Sequence, residues 1–299
     1  MIAGRGLWLA AFAAACSAGS GPNGDTDGDT DHLPTCGAPG VVTQLTDGLT
    51  GGTEGLAITE DGTLYAVNDN QLLRVGADGT KTPVAETPGG VGAAWWNGDI
   101  WVASWKDADG NNEGSLLQIT PDGMVTRHPT PNIAKPNFLA PTPWGTLLVS
   151  DDFDTKIFEV DASAAVTTWA TDVPSPNGMG FSPDGSQLWV ISTFVADPPL
   201  SSIAVADGVA GARTVVHTFE SGSAPDGLVV AKDGAVLVAV NVAGRIDVWQ
   251  DGQVGTIASE LEFPASLVFG RGEFDRCSVI ATSLFGTTMS VVTAGHEGQ

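Results

Sequence analysis

The feature that most restricts this chain is a hairpin unit that returns along its length. Its clearest copy spans residues 175–192. Asn177 stands before Gly178, a short apolar strand follows, Asp184-Gly185 turns the chain, and a second strand of alternating apolar residues runs back. Asp-Gly between two such runs signals a hairpin, because both residues tolerate the positive φ of a type I′ turn. The unit recurs as Thr53-Glu54-Gly55-Leu56-Ala57-Ile58 through Asp61-Gly62 to residues 63–67. It recurs again as Pro225-Asp226-Gly227-Leu228-Val229-Val230 through Asp233-Gly234 to residues 236–240. Looser copies start at Val91 (turn Asn97-Gly98), at Pro136-Asn137 (turn Trp144-Gly145) and at Pro264-Ala265-Ser266, where the loop is longer. Gly62, Gly98, Gly145, Gly185 and Gly234 are separated by 36, 47, 40 and 49 residues, close to the period of a four-stranded propeller blade. Six such units predict an all-β fold, a six-bladed β-propeller with four-stranded blades over residues 41–299.

The two ends of the chain bear on how the ring closes and where it works. Residues 1–16 have one basic side chain, an apolar run too short to span a bilayer, and Ala13-Ala14-Ala15-Cys16. That stretch resembles a lipoprotein signal peptide with Cys16 as the lipidated residue, and simple secretion is the other reading. Residues 17–40, with Asp25, Asp27, Asp29 and Asp31 in alternation, lack the apolar side chains of a core and read as an acidic disordered tether. An exported chain, membrane-anchored through lipid alone, is the expectation. The sixth unit shows only three strands, so residues 41–45 are expected outermost in the last blade, closing the ring. Closure there brings Cys36 to Cys277 and predicts a disulfide, two free thiols being the alternative. With 35 acidic against 12 basic residues and a formal charge of −23, the chain lacks the basic surface that nucleic acid needs. A monomer is expected.

In a propeller the first strand of each blade lines the channel and the second returns to the same face. Two rings of residues therefore meet at one opening: Glu54, Gly92, Asn137, Asn177, Asp226 and Ser266, then Asp69, Trp105, Asp151, Asp152, Thr193, Asn241 and Ser283. Two carboxylates and two amides of the first ring (Glu54, Asp226, Asn137, Asn177) offer hard oxygen ligands on one axis. They suit calcium or another divalent cation better than zinc, since no histidine or cysteine joins them. Asn and Asp before glycine also cap turns, which is the competing explanation; Glu54 has no such preference.

The successive stretches Thr53-Glu54-Gly55, Lys135-Pro136-Asn137, Pro176-Asn177-Gly178 with Ser182-Pro183-Asp184-Gly185, Pro225-Asp226-Gly227 and Pro264 through Gly270 resemble the motifs of the SMP-30/gluconolactonase/LRE-like family of six-bladed, calcium-dependent propellers. The resemblance implies a divalent ion held by Glu54, Asn177 and Asp226, with Asn137 beside it contacting substrate and Lys135 supplying a nearby basic group. The implied activity is hydrolysis of a sugar lactone or related small ester. Asp226 is the expected base, with Lys135, Asn137, Trp105 and Asp151 at the substrate.

Several chemistries are disfavoured. Ala265-Ser266 stands where related phosphotriesterase and paraoxonase propellers place a histidine, and His32, His128, His217 and His296 fall in the tether, on outer strands or in the tail. No Gly-x-Ser-x-Gly is present to form a nucleophile elbow. The rival from another class is a non-catalytic, membrane-tethered propeller that binds a ligand or protein around a structural metal.

Overall fold

Each repeat unit becomes one antiparallel sheet, and the sheets are arranged around an axis. The computed structural model describes residues 36–299, all-β with no helix among them. The expected signal peptide, Cys16, His32 and most of the tether lie outside the described residues. Six four-stranded sheets form the blades of a six-bladed β-propeller, spanning 53–86, 90–129, 136–170, 176–218, 225–258 and 264–293. The strand Val42–Thr46 pairs with Met289–Thr293 as the outermost strand of blade 6, so the chain's beginning completes its last blade. Cys36 and Cys277 form a disulfide with Cα atoms 5.3 Å apart, tying the residues ahead of that strand to the same blade.

The inner strands are Thr53–Ile58, Gly90–Trp96, Pro136–Pro141, Pro176–Phe181, Pro225–Val230 and Pro264–Phe269, and each contacts the next around the ring, the last returning to the first. Four begin with proline, which lacks a ladder donor and is tolerated at a strand's first residue. The core is divided into six apolar slabs, one between each pair of adjacent blades. Tyr65 and Val67 meet Ile100 and Val102 between blades 1 and 2, and Leu56 and Leu64 meet Ile280 and Met289 where blade 6 meets blade 1.

The hairpin turns depart from the expected type. Gly62, Gly145, Gly185 and Gly234 hold positive φ, but the residues before them do not, and Gly62 N donates to Thr59 O across three residues. These are type I turns followed by one left-handed glycine, and only Asn97-Gly98 among the five has both residues at positive φ. Asp61 and Asp184 favour this turn because each carboxylate accepts from the backbone N–H two residues on.

One irregularity repeats in all six blades. Thr53 pairs with Asn68 and Leu56 with Ala66, so Glu54 and Gly55 together face Val67 alone. The same two-against-one β-bulge falls at Val91-Gly92, Asn137-Phe138, Asn177-Gly178, Asp226-Gly227 and Ala265-Ser266. Bulges re-aim side chains. The register corrects two members of the first ring: the equivalents of Glu54 are Val91 and Ala265, whereas Gly92 and Ser266 align with Gly55, one residue further on.

Candidate functional site

The first bulge residue of four blades, Glu54, Asn137, Asn177 and Asp226, is brought to the upper mouth of the channel. They join one residue from the second strands, Asp152, which follows the strand Leu147–Asp151. Asn137 Nδ2 donates to Asp152 Oδ2 at 2.7 Å, and Asn177 Nδ2 lies 3.4 Å from the same oxygen. The Asn137 amide also lies close enough to the Glu54 carboxylate, and the Asn177 amide to that of Asp226, to favour their charged forms. Two amides thus sit between three carboxylates. Ahead of the bulges in blades 4, 5 and 6, Ser175, Ala224 and Phe263 hold φ of 48°, 47° and 46°, a left-handed backbone that the surrounding ladders must impose.

The electrostatics of this cluster are unfavourable as it stands. Burial pushes the Glu54 carboxyl up to about 7, with the Asn137 hydrogen bond pulling the other way, although part of its surface still faces the mouth. Asp226 is raised well above the carboxylate range by burial first and by Glu54's charge second. Asp152 is raised by burial and then by the charges of Asp226, Glu54 and Asp151. Two acceptors, Asp152 Oδ1 and Asn177 Oδ1, are buried with no hydrogen-bond partner. A buried acceptor without a donor is costly, and like-charged carboxylates in one pocket cannot all ionise. A hard cation resolves both problems. No three His, Cys, Asp or Glu side chains among the described residues gather as a metal centre by themselves. The cluster offers amide as well as carboxylate oxygens, and oxygen-only chemistry of this kind suits a divalent ion such as calcium.

The other expected residues have distinct positions. Asp151 is buried and turned away from the cluster, its two oxygens accepting from Lys135 N and Phe153 N at 3.0 Å each. It shapes the loop, and Asp152 takes the channel position that Asp151 was expected to share. Asp152 could have been found from spacing, since it aligns with Thr193 and Asn241, each one residue beyond the end of a second strand. Lys135 Nζ stands 5.0 Å from the centroid of the Trp105 ring, whose Nε1 donates to Pro136 O at 3.0 Å. Asp69 is exposed at φ 53°, away from the cluster. His128 and His217 lie on the outermost strands of blades 2 and 4, and His296 pairs with Asp233 in the tail, so none joins the mouth.

Lower in the channel the lining turns apolar. A cavity of about 590 Å³ is bordered by Ile58, Trp95, Phe181, Val229 and Val268. Gln299 caps it, donating to Phe181 O and Val230 O at 3.1 Å. Glu60, Asp184 and Arg271 also line it, whereas the carboxylates raised by burial, Glu54, Asp152 and Asp226, lie at the other end of the inner strands.

Solved structures share the fold at low identity. A gluconolactonase from Xanthomonas campestris superposes with a TM-score of 0.71 and 19% identity, over 84% of this chain and 89% of that one. A luciferin-regenerating enzyme gives 0.71 and 17%, over 87% and 97%. Regucalcin from Agrobacterium tumefaciens, described as a calcium-binding protein, gives 0.70 and 20%, over 87% and 97%. No curated protein matches the chain. Residues 137–279, which carry Asn137, Asp152, Asn177 and Asp226, match the family described as the SMP-30/Gluconolactonase/LRE-like region.

Proposed function

We propose that the mouth cluster binds a divalent cation, calcium by its donor chemistry, and hydrolyses a lactone or related small ester. The observation that carries this is the set of three raised carboxylates around two partnerless acceptor oxygens. The family match over residues 137–279 and the gluconolactonase and regucalcin likenesses support it. Glu54, Asp152, Asn177 and Asp226 would hold the ion, with Asn137 braced beside them. When bound, a divalent ion supplies Lewis acidity toward a carbonyl oxygen and acidifies water.

The protein's own residues supply the proton transfers. Asp226, ionised once the ion is held, takes a proton from the attacking water. The water oxygen bonds to the carbonyl carbon, the acyl–oxygen bond breaks, and the proton passes to the departing ring oxygen, giving a hydroxy acid. Lys135 and Asn137 orient the ring and offset negative charge on the carbonyl oxygen.

Calorimetry on the chelator-treated full chain tests the reading. Calcium is expected to bind wild type and to lose at least tenfold in affinity with Glu54→Ala or Asp226→Ala, while lactone hydrolysis falls at least a hundredfold in Asp226→Ala. Failure of calcium, magnesium, manganese and zinc all to bind would overturn it. A second reading is a structural ion in a non-catalytic binding propeller, favoured by the 2% and 4% exposure of Asn177 and Asp152. Binding without turnover of any lactone would select it. We also infer export with lipid attachment at Cys16, supported by the disulfide, which persists in oxidising compartments. Loss of membrane association in Cys16→Ser tests this.

A further inference from the structure

Around the acidic mouth four exposed side chains are apolar, and their placement follows the blade repeat. The second residue past the end of each second strand is Phe153 in blade 3, Phe194 in blade 4, Val242 in blade 5 and Phe285 in blade 6. They are 65%, 60%, 58% and 70% exposed. The equivalents in blades 1 and 2 are Asn70 and Lys106. Single exposed apolar residues are ordinary, but four at one structural position around one opening form a patch that marks a binding surface.

On the blade 2 to blade 4 side the patch becomes an ordered wall. Phe153 and Phe194 stack with centroids 5.4 Å apart at 17°, and Trp105 meets Phe153 edge-on at 6.1 Å and 73°. The wall is held by buried groups: Phe153 N donates to Asp151 Oδ1 at 3.0 Å, Phe194 N to Ser175 Oγ at 2.8 Å, and Trp105 Nε1 to Pro136 O. Phe153 directly follows Asp152, so the wall adjoins the cluster in the chain itself.

The polar side chains beneath are turned inward. Thr193 Oγ1 donates to Pro225 O at 2.6 Å, Asn241 Nδ2 lies 3.2 Å from Pro264 O, and Ser283 Oγ donates to Glu262 O. Their donors brace the backbone. A polyhydroxylated ring needs free donors and acceptors at the mouth, whereas this rim offers aromatic faces.

We propose that the substrate carries an apolar acyl or aryl arm beside its reactive carbonyl, and that Phe153, Phe194 and Trp105 bind that arm. The assignment rests on the hydrolase reading above and narrows it to lactones or esters with such an arm. The arm lies along the stacked rings while the carbonyl faces Asp226 and Asn137. Lys135 Nζ lies over the Trp105 ring of that wall.

The test uses the calcium-loaded full chain with γ-butyrolactone, γ-octalactone, γ-decalactone and glucono-1,5-lactone. Since burying each methylene of the arm favours binding, kcat/KM for γ-decalactone is expected to exceed that for γ-butyrolactone by roughly tenfold or more. Phe153→Ala/Phe194→Ala is expected to collapse that ratio toward one, with calcium affinity and melting temperature retained as controls on folding. A preference for glucono-1,5-lactone, or a ratio unchanged in the double variant, overturns the proposal. Should no lactone turn over, quenching of tryptophan fluorescence by γ-decalactone in wild type but not in the double variant keeps the wall and removes the hydrolase reading. Absence of both turnover and quenching overturns the wall. So does partition onto phosphatidylcholine vesicles, abolished in the double variant, without lactone binding, which reassigns the rim to membrane contact.

Discussion

Glu54, Asp152 and Asp226 share a space in which their negative charges oppose one another, and burial with that repulsion raises the proton affinity of all three. Calcium binding must then expel protons near neutral pH. Calorimetric enthalpies at pH 7 are expected to depend on buffer ionisation heat, with a slope of about one proton released, and a zero slope would mean that the carboxyls are already ionised. The sign for stability follows from linkage. Glu54 titrates near 7 in the folded protein against 4.5 when unfolded, and Asp152 and Asp226 shift in the same direction. The folded metal-free chain therefore holds more protons over roughly pH 4.5 to 7, and its stability falls as pH rises through that window. A loss on the order of 1–3 kcal/mol between pH 5 and 7.5 is expected from melts in chelator. Excess calcium should remove it. Asp152→Asn should flatten the chelator profile and weaken calcium binding by about tenfold or more, and an unchanged profile would remove Asp152 from the cluster.

Four of the six bulges carry the site, and they depend on how closely neighbouring inner strands approach. A Cβ on Gly178 would lie 2.6 Å from both Asp226 O and Leu228 N in the next blade. Gly178→Ala is expected to cost about 1–3 kcal/mol in urea unfolding and to weaken calcium binding by displacing Asn177 and Asp226. If both remain at wild-type values, close approach is not what the glycine secures. The legibility of the fold belongs to this scale. Turn glycines at blade-like spacing and apolar alternation reveal the hairpins, because they are local chemistry. The bulge is not local: whether Gly92 or Val91 is the counterpart of Glu54 depends on pairing with residues 102–104, which composition does not show. Asp151 and Asp152 were both placed in the second ring, but which of them faces the cluster depends on where the strand ends, and the sequence reading chose Asp151 for the site. The turn type was misjudged because Asp-Gly serves equally a type I turn with one left-handed glycine. The aromatic rim appears only when Phe153, Phe194, Val242 and Phe285 are aligned by blade.

A propeller has no single central core, so its weakest place is the seam where the two ends of the chain meet. Here the seam is a strand ladder, Val42–Thr46 on Met289–Thr293, reinforced by a disulfide across 241 residues of sequence. In the chain-entropy picture a loop of that length stabilises by about 5 kcal/mol at most, and measured values commonly run at 2–4. Cys36→Ser/Cys277→Ser should lower unfolding free energy by roughly 2–4 kcal/mol, with amides of Val42–Thr46 exchanging earlier than those of blades 3 and 4. The cluster acts on the same ring from its centre, because Glu54 belongs to blade 1 and Asp226 to blade 5, on either side of blade 6. A cation held by both resists the opening that loss of the disulfide permits. Calcium at a thousand times its Kd adds about 4 kcal/mol by mass action, enough to offset the missing bond. The serine double variant should therefore melt well below wild type in chelator and close to metal-free wild type in saturating calcium. If calcium stabilises the disulfide variant no more than it stabilises a Glu54→Ala protein, the ion does not bridge the ring, and closure rests on the seam alone.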